Sequence, residues 1–160
     1  YMKGIAEVND AAPTAFIKAL AVAARSYAYA LISKTPPTEK RMFDVYATTA
    51  DQLYLGYNSE KSMSNFVTAV TETAGELVTY KENPVIAFYF TRSSGKTKSG
   101  GAARPWLQSV EAVYDKGKSQ LGHGIGMSNQ DAQTHAKKDG WDYKQILEYY
   151  YSDTTVEKVF

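Results

Sequence analysis

Pro13-Thr14-Ala15-Phe16-Ile17-Lys18-Ala19-Leu20-Ala21-Val22-Ala23-Ala24-Arg25-Ser26-Tyr27 is the stretch that decides the fold of this chain. Proline suits the first turn of a helix, where its missing N–H costs nothing. Phe16, Ile17, Leu20, Ala24, Tyr27 and Leu31 then recur at intervals of three or four, and alanine fills much of the rest. That pattern predicts a long Ala-rich helix buried over most of its surface. Arg25 is the only charge between Ala21 and Tyr27. A buried charge needs a partner, so pairing with a carboxylate is expected.

Outward from this helix the punctuation is regular. Tyr1, Ile5 and Val8 fall at helical spacing and read as the end of an earlier helix, broken at Asn9-Asp10. Residues 33–40, with Pro36-Pro37, read as a loop. Residues 43–57 suggest short extended pieces. Ser62 or Ser64 opens a helix that ends near Gly75, a residue suited to the C′ position. Residues 76–80 and 85–90 read as strands joined at Lys81-Glu82-Asn83-Pro84. Residues 93–104, rich in Gly, Ser and Lys, predict a mobile loop, and 107–114 a strand.

A helix over 128–138 is stopped by Gly140. Asp142 caps another, with Gln145 completing a capping box and Trp141 stapled onto Ile146. Residues 155–159 read as a closing strand. There is no internal repeat and no composition break, so 1–160 reads as one domain. Helices and strands are mixed without βαβ alternation, which predicts an α+β fold. Its expected parts are an Ala-rich central helix, a small, mostly antiparallel sheet and C-terminal helices.

The composition, 44% hydrophobic and 22% charged, is that of a globular chain able to bury a core. A net charge of +1 makes no electrostatic case for nucleic acid. No stretch approaches the ~20 consecutive apolar residues of a membrane span. The absence of cysteine removes disulfides, thiolate metal sites and a Cys nucleophile. Tyrosine is frequent, 13 residues against six Phe and two Trp. Most are expected to be half-buried packing residues.

Two segments carry candidate chemistry. Gly122-His123-Gly124-Ile125-Gly126-Met127-Ser128 sets three glycines around one of two histidines and leads into a helix capped by Ser128. Gly4-Ile5-Ala6-Glu7-Val8 holds a carboxylate among small and apolar neighbours. Desolvation there would favour the protonated form and suit Glu7 to general acid work. His135 lies in a polar run and reads as a solvated face. The two histidines are twelve residues apart and do not form a facing metal pair on one helix.

The order of these blocks resembles the sporulation stage II protein D family, which includes the amidase enhancer LytB. The blocks are Gly4-Ile5-x-Glu7, then Ala21-Val22-Ala23-Ala24-Arg25-Ser26-Tyr27, then Phe43-Asp44-Val45 with Thr48-Thr49, Gln52 and Tyr54-x-Gly56. Ala69-Val70-x-x-Thr73-x-Gly75, Ala87-x-Tyr89-Phe90 with Ser93-Ser94-Gly95, the glycine-histidine signature and Ile146-Leu147-x-Tyr149-Tyr150 follow. The resemblance implies a cell-wall enzyme. Relatives are lytic transglycosylases that cleave peptide-stripped glycan strands between N-acetylmuramic acid and N-acetylglucosamine, leaving a 1,6-anhydro end.

On that resemblance Glu7 is the catalytic acid and base. Arg25, Gln52, Ser94, His123 and Ser128 are groove or supporting positions, and Asp44 is structural. The implied partners are peptidoglycan glycan strands and a cell-wall amidase, and the implied location is extracytoplasmic. Because the chain opens on Tyr1, it reads as N-terminally trimmed, with any leader or anchor elsewhere. Some relatives hold zinc through Cys and His after Phe-Asp. Here those positions read Tyr46, Ala50 and Asp51, so no metal and no cofactor is expected. The signature's usual Ser-Gln-x-Gly-Ala continuation reads Ser128-Asn129-Gln130-Asp131-Ala132, which puts Asp131 where a close approach was available. The alternative is a non-catalytic wall-binding module that stimulates an amidase, and behind it a structural carbohydrate-binding domain.

Overall fold

The long helix α1 runs Thr14–Lys34, with Ile17 N–H donating to Pro13 O at its start. The structure, a computed structural model, describes residues 1–34, 43–48 and 50–160. Part of the expected loop over 33–40, including Pro36-Pro37, lies outside the described residues. Helices α2, Ser59–Ser62, and α3, Ser64–Glu72, follow. Strand β1, Glu76–Tyr80, turns through Lys81 and Glu82, both with positive φ, into β2, Asn83–Pro84. Then come β3, Tyr89–Phe90; β4, Met127–Ser128; α4, Asn129–Lys138; α5, Tyr143–Tyr150; and β5, Thr154–Lys158.

The architecture is α+β, as expected. One sheet is antiparallel in the order β2-β1-β5, with Val78 opposite Val156. A second pairs β3 with β4 in parallel, Tyr89 opposite Met127 and Phe90 opposite Ser128. Helix α1 separates two buried clusters. Phe16, Leu20, Val22 and Ala23 face Val78, Met127, Ile146 and Tyr150. Ile17, Ala21 and Ala24 face Ile5, Met63 and Phe66. Alanine's single methyl lets neighbours close on both sides of the helix, which is why α1 is apolar almost all round. By length and composition Thr14–Ser33 would also suit a membrane span, against the sequence expectation, but 67% of that window is buried inside the protein.

Several expectations change. The first residues form only a 3-10 turn, Met2–Gly4. The chain then runs extended, because Ile5 pairs antiparallel with Tyr54. A side chain at Gly4 would collide with the Tyr54 ring, so the close pairing requires glycine there. Residues 85–90 are not one strand. The hairpin ends at Pro84, and β3 turns away to join β4. Residues 107–114 form no named strand. Only an isolated bridge between Lys96 and Glu111 and a 3-10 turn at Val113–Asp115 are present. The loop over 93–104 is hydrogen-bonded to its surroundings, through Thr97 N to Val110 O at 2.8 Å and Lys98 N to Gly124 O at 2.7 Å.

The capping box of α5 is present, with Asp142 accepting from Lys144 N and Gln145 N. Ser128 stands at the N-cap of α4, but its side chain caps nothing. His135 is buried, not solvated. It stacks on Trp141 at 3.9 Å, and its Nδ1 lies 2.6 Å from Asp139. Asp131 and His135 on α4 and Asp139 at its C-cap are spaced by four and share one face.

Candidate functional site

Glu7 is positioned by backbone pairing. Ala6 N donates to Leu53 O at 3.0 Å, and Leu55 N donates to Gly4 O at 2.9 Å. This lays the segment beside residues 53–55, so that Leu53 N in turn donates to Glu7 Oε1 at 3.1 Å. The other carboxylate oxygen, Oε2, accepts from the Tyr89 hydroxyl. Tyr89 comes from β3, more than eighty residues along the chain.

Gln52 sets the direction of that bond. It is fully buried. Its Nε2 donates to Ala24 O and to Tyr89 Oη, both at 3.0 Å, and its Oε1 accepts from Tyr1 Oη at 2.8 Å. With one lone pair of Tyr89 engaged by an N–H, the phenolic proton points at Glu7. Burial first, then the Glu7 charge, holds the Tyr89 phenol well above its ordinary range, so it remains a donor. Tyr1 is pushed up to about 12, by burial first and then by Glu7 and Asp51.

Glu7 lines a cleft of about 420 Å³ together with Tyr27, Asp51, Phe88, Tyr89, His123 and Asn129. Asp51 is pinned, accepting from Tyr27 Oη at 2.9 Å and from Tyr46 N at 2.8 Å. Among the described residues the cleft wall thus carries two carboxylates and no lysine or arginine.

His123 lines the same cleft across from the N-terminal segment. Its Nδ1 accepts from Ile125 N at 3.0 Å, and its ring meets Phe88 and Phe90 at 5.7 and 5.5 Å. Desolvation lowers its pKa, a hydrogen bond to the Tyr89 backbone opposes this, and the Lys98 charge adds to the lowering. The neutral ring therefore carries its proton on Nε2. The glycines around it hold positive φ. Gly122 approaches Phe90 of β3 and Gly126 approaches Phe88 just before it, while Gly124 faces Gln120 and Lys98. A Cβ on Gly126 would overlap Phe88 O.

The other sequence candidates lie elsewhere. Arg25 reaches no carboxylate by hydrogen bond. Its guanidinium donates to Val70 O at 3.0 Å and Thr73 O at 2.8 Å, at the end of α3, and to Glu76 O at 3.1 Å, at the start of β1. Ser94 is exposed and lines no part of the cleft. Its neighbour Ser93 is the buried one. Ser128 is fully buried and donates to Asp115 Oδ2 at 2.6 Å, the oxygen that also takes Ser93 N and Oγ. It braces the loop behind the cleft. Asp131 points into the core, where it accepts from Tyr150 Oη and from Tyr114 N. Asp44 does not line the cleft either.

Tyr89, Tyr27 and Asp51 join the site only through the fold. The sequence marks Tyr89 by its place in the block Ala87-x-Tyr89-Phe90 alone.

The stage II sporulation protein family SpoIID matches this chain over residues 1–80. Stage II sporulation protein D of Bacillus subtilis is 31% identical over 114 residues, 62% of this chain and 33% of that protein. Its counterpart in Bacillus amyloliquefaciens is 30% identical over 115 residues, with the same coverages of 62% and 33%. An uncharacterized protein of Brachyspira hyodysenteriae is 35% identical over 116 residues, 69% of this chain and 30% of that protein. The chain spans about a third of the length of these curated relatives. The matched span contains Glu7 and Gln52, whereas Tyr89 and His123 lie beyond it.

Proposed function

The chain belongs to the SpoIID family of stage II sporulation proteins, and from that premise we propose that it is a peptidoglycan lytic transglycosylase domain working outside the cytoplasm, with Glu7 as both acid and base. The observation that carries the reading is the setting of Glu7. Each of its oxygens is held by one donor, Leu53 N–H and Tyr89 O–H, on the wall of a cleft within the ~300–1,000 Å³ common for ligand sites.

The reaction needs one carboxyl group used twice. Protonated Glu7 gives its proton to the glycosidic oxygen as the bond to the muramoyl anomeric carbon breaks. The carboxylate then takes the proton of the muramoyl C6 hydroxyl as that oxygen bonds to the anomeric carbon. The ring closes as a 1,6-anhydro sugar, and Glu7 returns to its starting state without activating water. Positive charge develops on the sugar between these steps. Asp51, a second carboxylate on the same wall, favours that charge electrostatically. Tyr89 orients Glu7 through its hydrogen bond to Oε2.

The reading routes no step through zinc. At the positions compared with the relatives' ligands, Ala50 offers no donor and both oxygens of Asp51 are engaged. Among the described residues no group of three His, Cys, Asp or Glu is placed to hold an ion. Of the two departures in the signature tail, Asp131 is turned into the core and does not line the cleft, whereas Asn129 does.

The test is product analysis. The protein and Glu7→Gln are incubated with peptide-stripped glycan strands, and the products are read by mass spectrometry. Anhydro-muramoyl ends from the native protein and none from Glu7→Gln are expected. No anhydro product from the native protein would overturn the proposal.

A further inference from the structure

The cleft is acidic at one end and bordered by cations at the other. Glu7 and Asp51 supply the acidic end. Arg104 and Lys98 stand at the His123 end, both on the loop over 93–104. The Arg104 guanidinium lies 5.3 Å from the centre of the Phe88 ring, and Phe88 is part of the cleft wall. Lys98 pairs with Ile125 and donates its backbone N–H to Gly124 O, so it is anchored to the turn that carries His123. Its charge is felt at the His123 ring.

Both side chains are exposed. Among the described residues neither enters an ion pair, and neither side chain makes a hydrogen bond. The backbone around Arg104 is nonetheless fixed, with Arg104 N donating to Gly101 O at 3.0 Å and Leu107 N donating to Arg104 O at 2.9 Å. Among the described residues, two anchored cations thus stand without an ion-pair partner beside a cleft lined by two carboxylates. Such an arrangement fits a ligand that is neutral or becomes cationic at its reacting carbon and carries an anion a short way along.

We propose that Arg104 and Lys98 are specificity determinants that bind the free lactyl carboxylate of a muramoyl residue seated in the cleft. The inference rests on the reading of the cleft as a glycan site and adds the group that selects the strand. In a strand with stem peptides that carboxylate is consumed in an amide bond. Stripping the peptide exposes it, and only then can a planar guanidinium grip it through paired N–H donors. The aromatic face of Phe88 pre-orders the guanidinium for that contact.

The test is direct binding, measured apart from cleavage. Peptide-stripped glycan strands and N-acetylglucosamine oligomers of equal length, which lack the carboxylate, are titrated against the native protein, Arg104→Gln and Arg104→Gln with Lys98→Gln. The native protein is expected to prefer the stripped strands, with a preference that weakens as salt rises. Arg104→Gln is expected to lower that preference about tenfold, as for one charge-assisted contact, and the double variant to abolish it. Equal affinity of the native protein for both glycans, or full preference retained in the double variant, would overturn the assignment. Carboxylate-dependent binding without any anhydro product would sink the transglycosylase reading and leave this inference standing. Cleavage with no carboxylate preference would do the reverse.

Discussion

Tyr89→Phe is the sharpest probe of the candidate site because it removes one oxygen and leaves the ring in place. That oxygen donates to Glu7 Oε2 and accepts from Gln52 Nε2. Hydrogen bonds to a charged group are worth about 1.5–3 kcal/mol, and each 1.36 kcal/mol is about a factor of ten in rate. Losing the Glu7 contact should therefore lower kcat on stripped glycan strands by about 10- to 100-fold. Stability should fall too, because Gln52 loses one acceptor while keeping Ala24 O. A buried donor left short costs about 1–3 kcal/mol in urea unfolding. The turnover of the folded enzyme separates a positioning role from a packing role. If Tyr89→Phe loses stability but keeps its rate, the hydrogen bond to Glu7 does not orient the acid.

Arg25→Met should destabilise the fold by about 2 kcal/mol or more in urea unfolding, since it takes the guanidinium donors from Val70 O and Glu76 O and leaves Thr73 O with Glu76 N alone. The folded fraction should keep its glycan affinity. Gly126→Ala should cost more than about 1 kcal/mol and loosen the His123 turn, because φ is +79° and the new methyl meets Phe88 O. Thermal melting reads the first effect and glycan affinity the second. His123 has a lowered pKa in the folded protein, so the unfolded chain binds the extra proton first as pH falls. Its contribution to stability is present above the unfolded value of about 6.5 and is lost as pH falls through its folded value. Urea midpoints of His123→Gln at pH 7 and pH 5 should therefore differ less than those of the native protein.

Much of the framework was legible in the chain because it is set locally. The α1 periodicity, the Asp142–Gln145 capping box and the Lys81–Pro84 turn each depend on neighbours within four residues. His135 was misread for the opposite reason. Its immediate neighbours are polar, and the informative signal was the spacing of Asp131 and Asp139, four residues to either side, with Trp141 nearby to stack on the ring. Ser94 and Ser93 differ only in which way the chain faces at that point. Arg25 was correctly read as needing a partner, but the partner is a set of backbone carbonyls, and no sequence pattern marks where another helix will end.

The sequence by itself determined that a long, small-residue helix would form the core. Through its ordered blocks it also determined the family and pointed to Glu7. Glycines at 122, 124 and 126 marked a turn that only residues without Cβ can make. What those features do together was decided by tertiary structure. Glu7 acquires its donors only when the extended N-terminal segment pairs with residues 53–55 and β3 turns out of the hairpin to meet β4. Those pairings join Ile5 to Tyr54 and Tyr89 to Met127, the Glu7–Tyr89 bond they create spans 82 residues, and hydrogen bonds across such separations leave no periodic trace in the chain. The same packing sends Ser128 and Asp131 inward and brings Tyr89, Asp51 and His123 to one cleft.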